Sequence, residues 1–246
     1  MVEVKFLPDR WLADRFGRPV LCLAAPEPLI TAEVLRKQVA RSVARLPRPA
    51  FCYVKVPTSG VAHVRALTEQ GWIVTETSLI FDRPPGGSWA PESIVIRKAK
   101  PEDREDVLEI AANSFLYSRF HLDDRVPNTT ANEIKRAWVE NYFRGARGEE
   151  LLVGLMADRP VGFLAVLAEE MEGRPVRVID LIAVAGSFQR ASVGRSMVAH
   201  LCAVSSGRCE LIRVGTQAAN LPSINLYEDC GFKLRASQYV LHLHLE

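Results

Sequence analysis

A loop of small residues joins a strand-like run to a helix-like run in the last third of the chain. Residues 176–184 are apolar enough for a buried strand, and Val193–Val204 has apolar residues at helical spacing. The first backbone N–H groups of a helix have no partner within it and can bind an anion. This arrangement predicts an anion site, which nearby hydroxyls and arginine charges would strengthen. The residues concerned are Gln189, Arg190, Ala191, Ser192, Val193, Gly194, Arg195 and Ser196. The alternative is an ordinary helix start with small residues for packing.

Two other groups of reactive side chains are weaker candidates. His242 and His244 alternate with leucines, which is typical of the polar face of a strand, and no third ligand stands at a plausible spacing. We therefore predict no metal site. The five cysteines are scattered without a CxxC pair, which is typical of free thiols in a reducing cytoplasm.

The composition excludes several classes of protein. The net charge is +2 and no basic stripe is present, so neither nucleic acid nor an anionic membrane surface is an expected partner. The longest apolar runs are far shorter than the roughly 20 residues that a membrane-spanning helix needs. The first residues also lack the pattern of a signal peptide. A cytoplasmic location is the expectation.

Proline and glycine concentrate in residues 84–92, between two regions with regular patterns. We predict a smaller α/β domain over residues 1–83, a linker over residues 84–92 and a second domain over residues 93–246. Strands of the first domain are predicted at 20–24, 51–56 and 72–81, and its helices at 31–44 and 61–70. In the second domain, strands are predicted at 93–98, 150–156, 161–167, 176–184, 209–215 and 232–245, and helices at 100–115, 131–143, 193–204 and 221–230.

The order of these elements favours an α/β fold with a mixed sheet. The strands from residue 150 to residue 184 follow one another through short turns and should be antiparallel, whereas the later strand–helix–strand units favour parallel pairing. Residues 66–74 and 226–234 also share a pattern of helix end, glycine, aromatic residue and strand. The first domain is therefore a candidate degenerate copy of half of the second.

The loop that begins at Gln189 resembles the Gln/Arg-x-x-Gly-x-Gly/Ala pattern of the GNAT N-acetyltransferases. Ser192 stands where the first glycine is usual, and a serine is strained there if the position needs a positive φ. The resemblance implies the GNAT fold with a splayed central sheet, and acetyl-CoA as co-substrate with its pyrophosphate on this loop. It also implies that strand N–H groups surround the thioester carbonyl. Those residues are Leu181, Ile182, Ala183 and Val184.

Catalytic roles follow from the same resemblance. Tyr227 holds the place of the acid that protonates the departing thiolate, and Asn220, seven residues earlier, would bind the pantetheine arm. The alternatives are a tyrosine that packs on its helix and an asparagine that caps it. For the base, the resemblance indicates Glu76 acting through water, Asp180 is the rival, and a reaction without a single base stays open.

Longer segments resemble the dTDP-fucosamine acetyltransferases, which acetylate the amino group of a nucleotide-linked 4-amino-4,6-dideoxy sugar. The matching segments are 67–76, 115–120, 137–141, 144–145, 213–217 and 220–227. The resemblance implies acceptor contacts from Ser118, Arg119, Phe120, His121, Trp138 and Asn141, with Arg119 on a phosphate and Phe120 or Trp138 against a sugar or base. The alternatives are a Trp138 that packs in the core and an Arg119 in a surface ion pair. Another small amine, a peptide N-terminus and a non-catalytic CoA-binding module are the alternatives. A small-molecule amine is the expected partner, and a homodimer is one candidate assembly.

Overall fold

A single mixed β-sheet runs through both halves of the chain. The computed structural model describes residues 4–24, 30–87 and 94–246, and within these ranges the chain forms ten strands and seven α-helices. The strands are β1 (Lys5–Pro8), β2 (Val20–Ala24), β3 (Ala50–Pro57), β4 (Ile73–Arg83), β5 (Val95–Lys98), β6 (Glu150–Met156), β7 (Arg159–Met171), β8 (Arg174–Val184), β9 (Leu211–Gln217) and β10 (Lys233–Leu245). The helices are α1 (Arg10–Phe16), α2 (Ala32–Val43), α3 (Val61–Thr68), α4 (Arg104–Asn113), α5 (Asn128–Phe143), α6 (Val193–Val204) and α7 (Leu221–Asp229).

The two halves of the chain exchange strands within this sheet. The strand order is β1-β2-β3-β10-β4-β9-β8-β7-β6-β5, so β4 lies between β9 and β10, and β10 lies between β3 and β4. The pairs β2–β3 and β8–β9 are parallel, and the remaining pairs are antiparallel. Each half of the chain therefore supplies a strand that the other half holds on both sides.

The sheet splays between β8 and β9. Their pairing ends at Ile179 and Val214, although both strands continue beyond it. At the same level a β-bulge interrupts the pairing of β7 with β8, because Ala165 pairs with Leu181 and Val166 pairs with Ile179, which leaves Asp180 without an opposite residue. The predicted mixed, splayed sheet is confirmed.

Helices cover both faces of the sheet. On one face, α6 and α7 pack on a core that contains Phe81, Ile179 and Val214. On the other face, α4 and α5 pack on a core that contains Phe163 and Leu181. The opening between β8 and β9 is thus reached from two sides, by helices of different parts of the fold.

The repeated sequence pattern has a matching geometry at both places. Gly71 and Gly231 each follow a helix with positive φ, 84° and 80°, which glycine adopts without strain. Trp72 and Phe232 come next and are both buried. Strands β4 and β10 then lie side by side in the sheet. This geometry agrees with the predicted internal copy.

Most predicted elements are present, with different ends. Strands β7 and β9 extend beyond their predicted ends, and residues 232–245 form one strand with two irregularities in its pairing. The short elements β1 and α1 were not predicted. The division into domains stays a prediction, and residues 88–92 of the predicted linker lie outside the described residues. Across the described ranges, no helix combines the length and the apolar character that crossing a membrane requires.

Candidate active site

The loop before α6 has the conformation that an anion site needs. Arg190 and Ser192 have positive φ, 65° and 62°, so the strain expected for a serine at this position is present. Ser192 is the N-cap of α6, but its side chain makes no capping hydrogen bond. Gln189, Arg190, Ala191 and Ser192 are exposed. The first-turn N–H groups of α6 are therefore not capped by this residue and lie beside an exposed, positively charged loop.

Other residues of the loop serve packing and ion pairing. The Ser196 side chain is fully buried and its hydroxyl donates to the carbonyl oxygen of Ser192 at 3.0 Å, so the prediction that this hydroxyl serves an anion is wrong. Arg195 forms an ion pair with Asp229 of α7. A Cβ on Gly194 would lie 3.3 Å from Leu226, which explains why a small residue is needed where α6 approaches α7. Val193 is buried in the core beneath the helix.

Helix α7 carries the second group of predicted cofactor-side residues. The Asn220 side chain accepts a hydrogen bond from the Ser223 backbone N–H at 3.3 Å, so this residue caps the helix, as one of its predicted roles required. The Tyr227 side chain is 2% exposed, and its ring lies 6.2 Å from that of Phe81 and 5.8 Å from that of Phe232. Burial raises the pKa of Tyr227 well above its usual range. The phenol therefore stays protonated at neutral pH.

On the opposite face of the sheet, charged and aromatic side chains from both halves of the chain form what we call the polar cluster. Its members are Trp11 of α1, Tyr53 and Lys55 of β3, Glu76 of β4, Arg119 of the segment between α4 and α5, and Lys135 and Trp138 of α5. The register of the sheet places Tyr53 opposite His242 and Glu76 opposite Val240 on the shared strand β10, so these side chains point to one face.

Glu76 is the one carboxylate of the polar cluster. The β4–β9 pairing begins at Ser78, so Glu76 lies just beyond the end of β9, at the mouth of the splayed region. Burial raises the pKa of Glu76 to about 7, against the opposing effect of Arg119, Lys135 and Lys55. The Arg119 backbone N–H donates to the carboxylate, while Oε2 is buried without a hydrogen-bond partner. A buried carboxylate oxygen of this kind can accept a proton from a bound molecule.

The Arg119 guanidinium lies close to two aromatic rings. Its guanidinium carbon is 3.9 Å from the centre of the Tyr53 ring and 4.5 Å from that of Phe120. Its Nη1 is buried without a hydrogen-bond partner, and so is the indole nitrogen of Trp11. The polar cluster therefore presents two donors and one acceptor that a bound molecule would satisfy.

Asp180 differs from Glu76 because its hydrogen bonds are already made. It accepts bonds from the indole of Trp138 at 2.9 Å and from the hydroxyl of Tyr142 at 2.7 Å. Arg147 adds a bidentate pair at 2.7 and 2.8 Å. The β-bulge turns Asp180 and Leu181 towards the same face, which allows this contact with α5. Asp180 thus ties α5 to the splayed strand.

Three of the predicted acceptor residues have contacts that stabilise the segment between α4 and α5. Phe120 is 1% exposed and packs in the core with Phe51, so its predicted contact with a sugar or base is wrong. The Ser118 hydroxyl bonds the His121 ring at 2.6 Å, and the other ring nitrogen lies 2.9 Å from Asn132 Oδ1. The backbone carbonyl of Asn141 accepts bonds from the N–H groups of residues 146 and 147 after α5.

Comparison with known proteins identifies the family. The model of the family described as "Acetyltransferase (GNAT) family" matches residues 106–232, which is just over half of the chain. The chain belongs to the GNAT acetyltransferase family. It is therefore an acetyl-transferring enzyme, and the α/β GNAT fold predicted from the sequence is confirmed.

The chain is also similar to a curated protein and to solved structures. The spore coat polysaccharide biosynthesis protein SpsD of Bacillus subtilis (strain 168) is 27% identical over 205 residues, covering 82% of this chain and 69% of that protein. A GCN5-related N-acetyltransferase from Sphaerobacter thermophilus superposes with a TM-score of 0.60 at 12% identity, covering 98% of this chain and 76% of its own. A functionally unknown conserved protein from Staphylococcus epidermidis ATCC 12228 superposes with a TM-score of 0.64 at 13% identity, covering 94% of this chain and 86% of its own. These two structures show the likeness of the fold alone.

The histidines of β10 differ from the prediction for this GNAT chain. His242 and His244 are buried, so the predicted polar sheet face is wrong, and Asp123 supplies the third group that the sequence spacing did not reveal. One Asp123 oxygen accepts from His242 Nδ1 at 2.6 Å and from His244 Nε2 at 2.8 Å. These three side chains could hold a metal ion by their chemistry, but the distances are those of direct hydrogen bonds. They tie the Arg119 segment to the sheet.

Several residues around the candidate site of this GNAT enzyme were not predicted from the sequence. Lys55, Lys135 and Tyr53 lie in elements that were predicted, but nothing local distinguishes them from surface or core residues. Tyr142 could have been found, because it stands four residues after Trp138 and so shares its helix face. Trp11 belongs to α1, which was not predicted.

Proposed function

We propose that this enzyme transfers the acetyl group of acetyl-CoA to the amino group of a nucleotide-linked amino-deoxy sugar. The observation that carries the proposal is the polar cluster at the mouth of the splayed region. There a carboxylate with a free oxygen stands among three cations and three aromatic rings. The similarity to SpsD, whose name refers to polysaccharide biosynthesis, supports a sugar as the acceptor.

Acetyl-CoA fits the face of the sheet that carries α6 and α7. The exposed loop from Gln189 to Ser192 would receive the pyrophosphate on the first-turn N–H groups of α6, with Arg190 adding charge. Asn220 keeps its amide nitrogen for the pantetheine arm while its oxygen caps α7. The backbone N–H groups of residues 181–184 alternate between β7, with which all four residues pair, and the side where β8 does not pair with β9. Those on the unpaired side would stabilise negative charge on the carbonyl oxygen.

Glu76 is proposed as the base in preference to Asp180. A carboxyl with a pKa of about 7 is well matched to proton transfer near neutral pH, and its Oε2 lacks a partner. Asp180 accepts four hydrogen bonds, so taking a proton would break an established network. Asp180 is therefore proposed to position α5.

Tyr227 is proposed as the acid. Because burial raises its pKa, the hydroxyl holds its proton until negative charge develops on the leaving sulfur. Tyr227 and Glu76 belong to opposite faces of the sheet. This suits a reaction in which Glu76 takes one proton from the amine on one side and Tyr227 gives another to the thiolate on the other side.

The charges and aromatic rings of the polar cluster suit a nucleotide-linked sugar as the acceptor. Arg119, Lys55 and Lys135 would balance the phosphates of a nucleotide-linked sugar. Trp11 and Trp138, whose rings lie 5.6 Å apart, offer apolar surface for the sugar or the base. A polyamine acceptor would meet three like charges at this place.

A panel of amines incubated with acetyl-CoA and followed by mass spectrometry tests the proposal. We expect a gain of one acetyl group on nucleotide-linked amino sugars, and none on polyamines or peptide N-termini. Arg119→Lys keeps the positive charge but removes the planar guanidinium that contacts the two rings. It serves as the matched variant. Acetylation of a polyamine with no reaction of any nucleotide amino sugar would overturn the acceptor class and leave the GNAT family assignment standing.

A further inference from the structure

A β-bulge lies directly before Glu76 in the pairing of β4 with β10. Val74 pairs with Leu241. Glu76 pairs with the preceding residue of β10, Val240, which leaves Thr75 without an opposite residue. The two residues of β10 are neighbours and point to opposite faces of the sheet, so Val74 and Glu76 do so as well, whereas residues two apart in a regular strand share a face. The bulge therefore decides which face of the sheet carries Glu76.

Without the bulge, Glu76 would point into an apolar core. It would share the face of Leu241, which packs in one core with Trp72. With the bulge, Glu76 lies on the face of the polar cluster, where it accepts the Arg119 backbone N–H. β-Bulges are over-represented next to active sites, where they re-aim a side chain, and Asp180 owes its direction to another bulge on β8. The position of the proposed base thus depends on one extra residue in β4.

The side chain of Thr75 fastens this bulge across the two strands. Its hydroxyl donates to the carbonyl oxygen of Val240 at 3.1 Å, and Val240 is the residue opposite Glu76. Thr75 is half-buried, so this hydrogen bond is partly shielded from water. A slip of the pairing by one residue would turn every side chain of the strand to the other face. The Thr75 hydroxyl therefore holds the register at the place where a slip would displace Glu76.

The same kind of irregularity occurs in the second copy of the repeated pattern. On β10, Arg235 is the residue without an opposite partner. Thr75 and Arg235 each stand four residues after the glycine of the repeat. The next residue is Glu76 in the first copy and Ala236 in the second. The bulge thus belongs to the framework that both copies share, and the first copy uses it to direct an acid.

We propose that Thr75 is a positioning residue whose hydroxyl holds the bulge in the form that directs Glu76 into the polar cluster. For its effect on catalysis this inference rests on the proposed function, in which Glu76 is the base. Thr75 exchanges no proton and acts through Glu76. Loss of the hydroxyl should therefore change the rate and the surroundings of Glu76, and should leave CoA binding on the other face of the sheet unchanged.

Three substitutions of Thr75 separate its hydroxyl from its shape. Thr75→Val removes the hydroxyl and keeps the branched side chain, Thr75→Ala is a second variant without the hydroxyl, and Thr75→Ser keeps the hydroxyl. We expect kcat to fall by about 10-fold or more in the first two, because a misplacement of about 1 Å can cost roughly 100-fold. Thr75→Ser should stay near the wild type. Thr77→Val removes a hydroxyl two residues further along β4 and is the matched control.

Carbon-13 NMR titration of glutamate-labelled protein follows Glu76 without any acceptor. Glu76→Gln identifies the Glu76 signal by its loss. Burial raises the pKa of Glu76 to about 7, so a Glu76 that leaves its buried place should titrate nearer to the roughly 4.3 of an exposed glutamate. We expect the Glu76 midpoint to fall in Thr75→Val and Thr75→Ala, and to stay in place in Thr75→Ser and Thr77→Val.

An unchanged midpoint in folded Thr75→Val would overturn the inference, and so would a shift in Thr75→Ser as large as in Thr75→Val. Unfolding of both variants without the hydroxyl would also overturn it, because the hydroxyl would then stabilise the sheet as a whole. A lower midpoint with an unchanged kcat would support the role of Thr75 and contradict Glu76 as the base. If the wild type acetylates no nucleotide amino sugar, the proposed function fails while the NMR result still decides the role of Thr75.

Discussion

The two sides of the splayed region are built in different ways. The proposed cofactor side is formed by one continuous stretch, from β8 through α6 and β9 to α7, and would rely largely on backbone groups in defined conformations. The polar cluster draws side chains from α1, β3, β4, α5 and the segment before α5. It buries charges whose pKa values depend on one another. A backbone site depends on local geometry, whereas a side-chain cluster depends on the whole sheet being assembled.

The largest expected effect on activity comes from the polar cluster, at Glu76. Glu76→Gln keeps the shape but cannot accept a proton, so kcat should fall by about 1,000-fold, within the usual range for loss of a general base. Stopped or continuous assays of CoA release would measure it, with CoA binding unchanged by calorimetry. Glu69→Gln, at an exposed residue of the same half, is the control. A fall of less than threefold would contradict the assignment.

Tyr227 probes the cofactor side through a side chain. Tyr227→Phe keeps the ring in its core and removes the proton donor, so kcat should fall by about 100-fold with little change in thermal stability. A reporter of thiolate release measures the rate, and an acetyl donor with a more acidic thiol should recover part of it. Equal loss with both donors would show that Tyr227 acts through packing.

The buried His242 makes the Arg119 segment sensitive to acid. Burial lowers the pKa of His242 to about 4, below the roughly 6.5 of an unfolded histidine. The unfolded state therefore binds more protons between these values, and this contribution to stability is lost as the pH falls from 6.5 towards 4. Urea unfolding at pH 7 and pH 4.5 should differ by about 2–3 kcal/mol from this group.

The contribution of Asp123 to stability is also lost as the pH falls, but at a lower pH than that of His242. Burial would raise the pKa of Asp123, but hydrogen bonds from His242 and His244 outweigh it and hold that pKa well below its usual range. Its contribution is thus lost only as the pH falls through that low value. His242→Gln should flatten the pH dependence of unfolding. A slope equal to that of the wild type would contradict this account.

Ser192 should give the smallest effect. Ser192→Gly relieves a left-handed serine, which costs roughly 1 kcal/mol, so the free energy of unfolding should rise by about that amount. CoA affinity should stay within a fewfold, because the backbone N–H groups are unchanged. Ser187→Gly, at an exposed position outside the positive-φ set, should not stabilise. Thermal melts of the two variants would separate loop strain from general mobility.

The same contrast explains how much the sequence could predict. The loop at Gln189 and the helix after Asn220 could be predicted because cap residues and helical spacing are local signals. Their proposed roles rest on the resemblance to the GNAT enzymes. Asp180 was found as an acid on a strand, but the bulge and the partners that occupy it were not visible. Lys135 and Asp123 were not singled out in the sequence, because the residues that surround them lie far away in the chain.

The exchange of strands β4 and β10 has a consequence for synthesis on the ribosome. Strand β10 is made long after β3 and β4, yet it fills the position between them. The first half of the chain therefore lacks the strand between β3 and β4 until β10 is made. Until then Glu76 also lacks its neighbouring strand. A nascent chain released before β10 would expose two strand edges to aggregation. The insertion of β10 thus completes both the fold and the surroundings of the proposed base in one event.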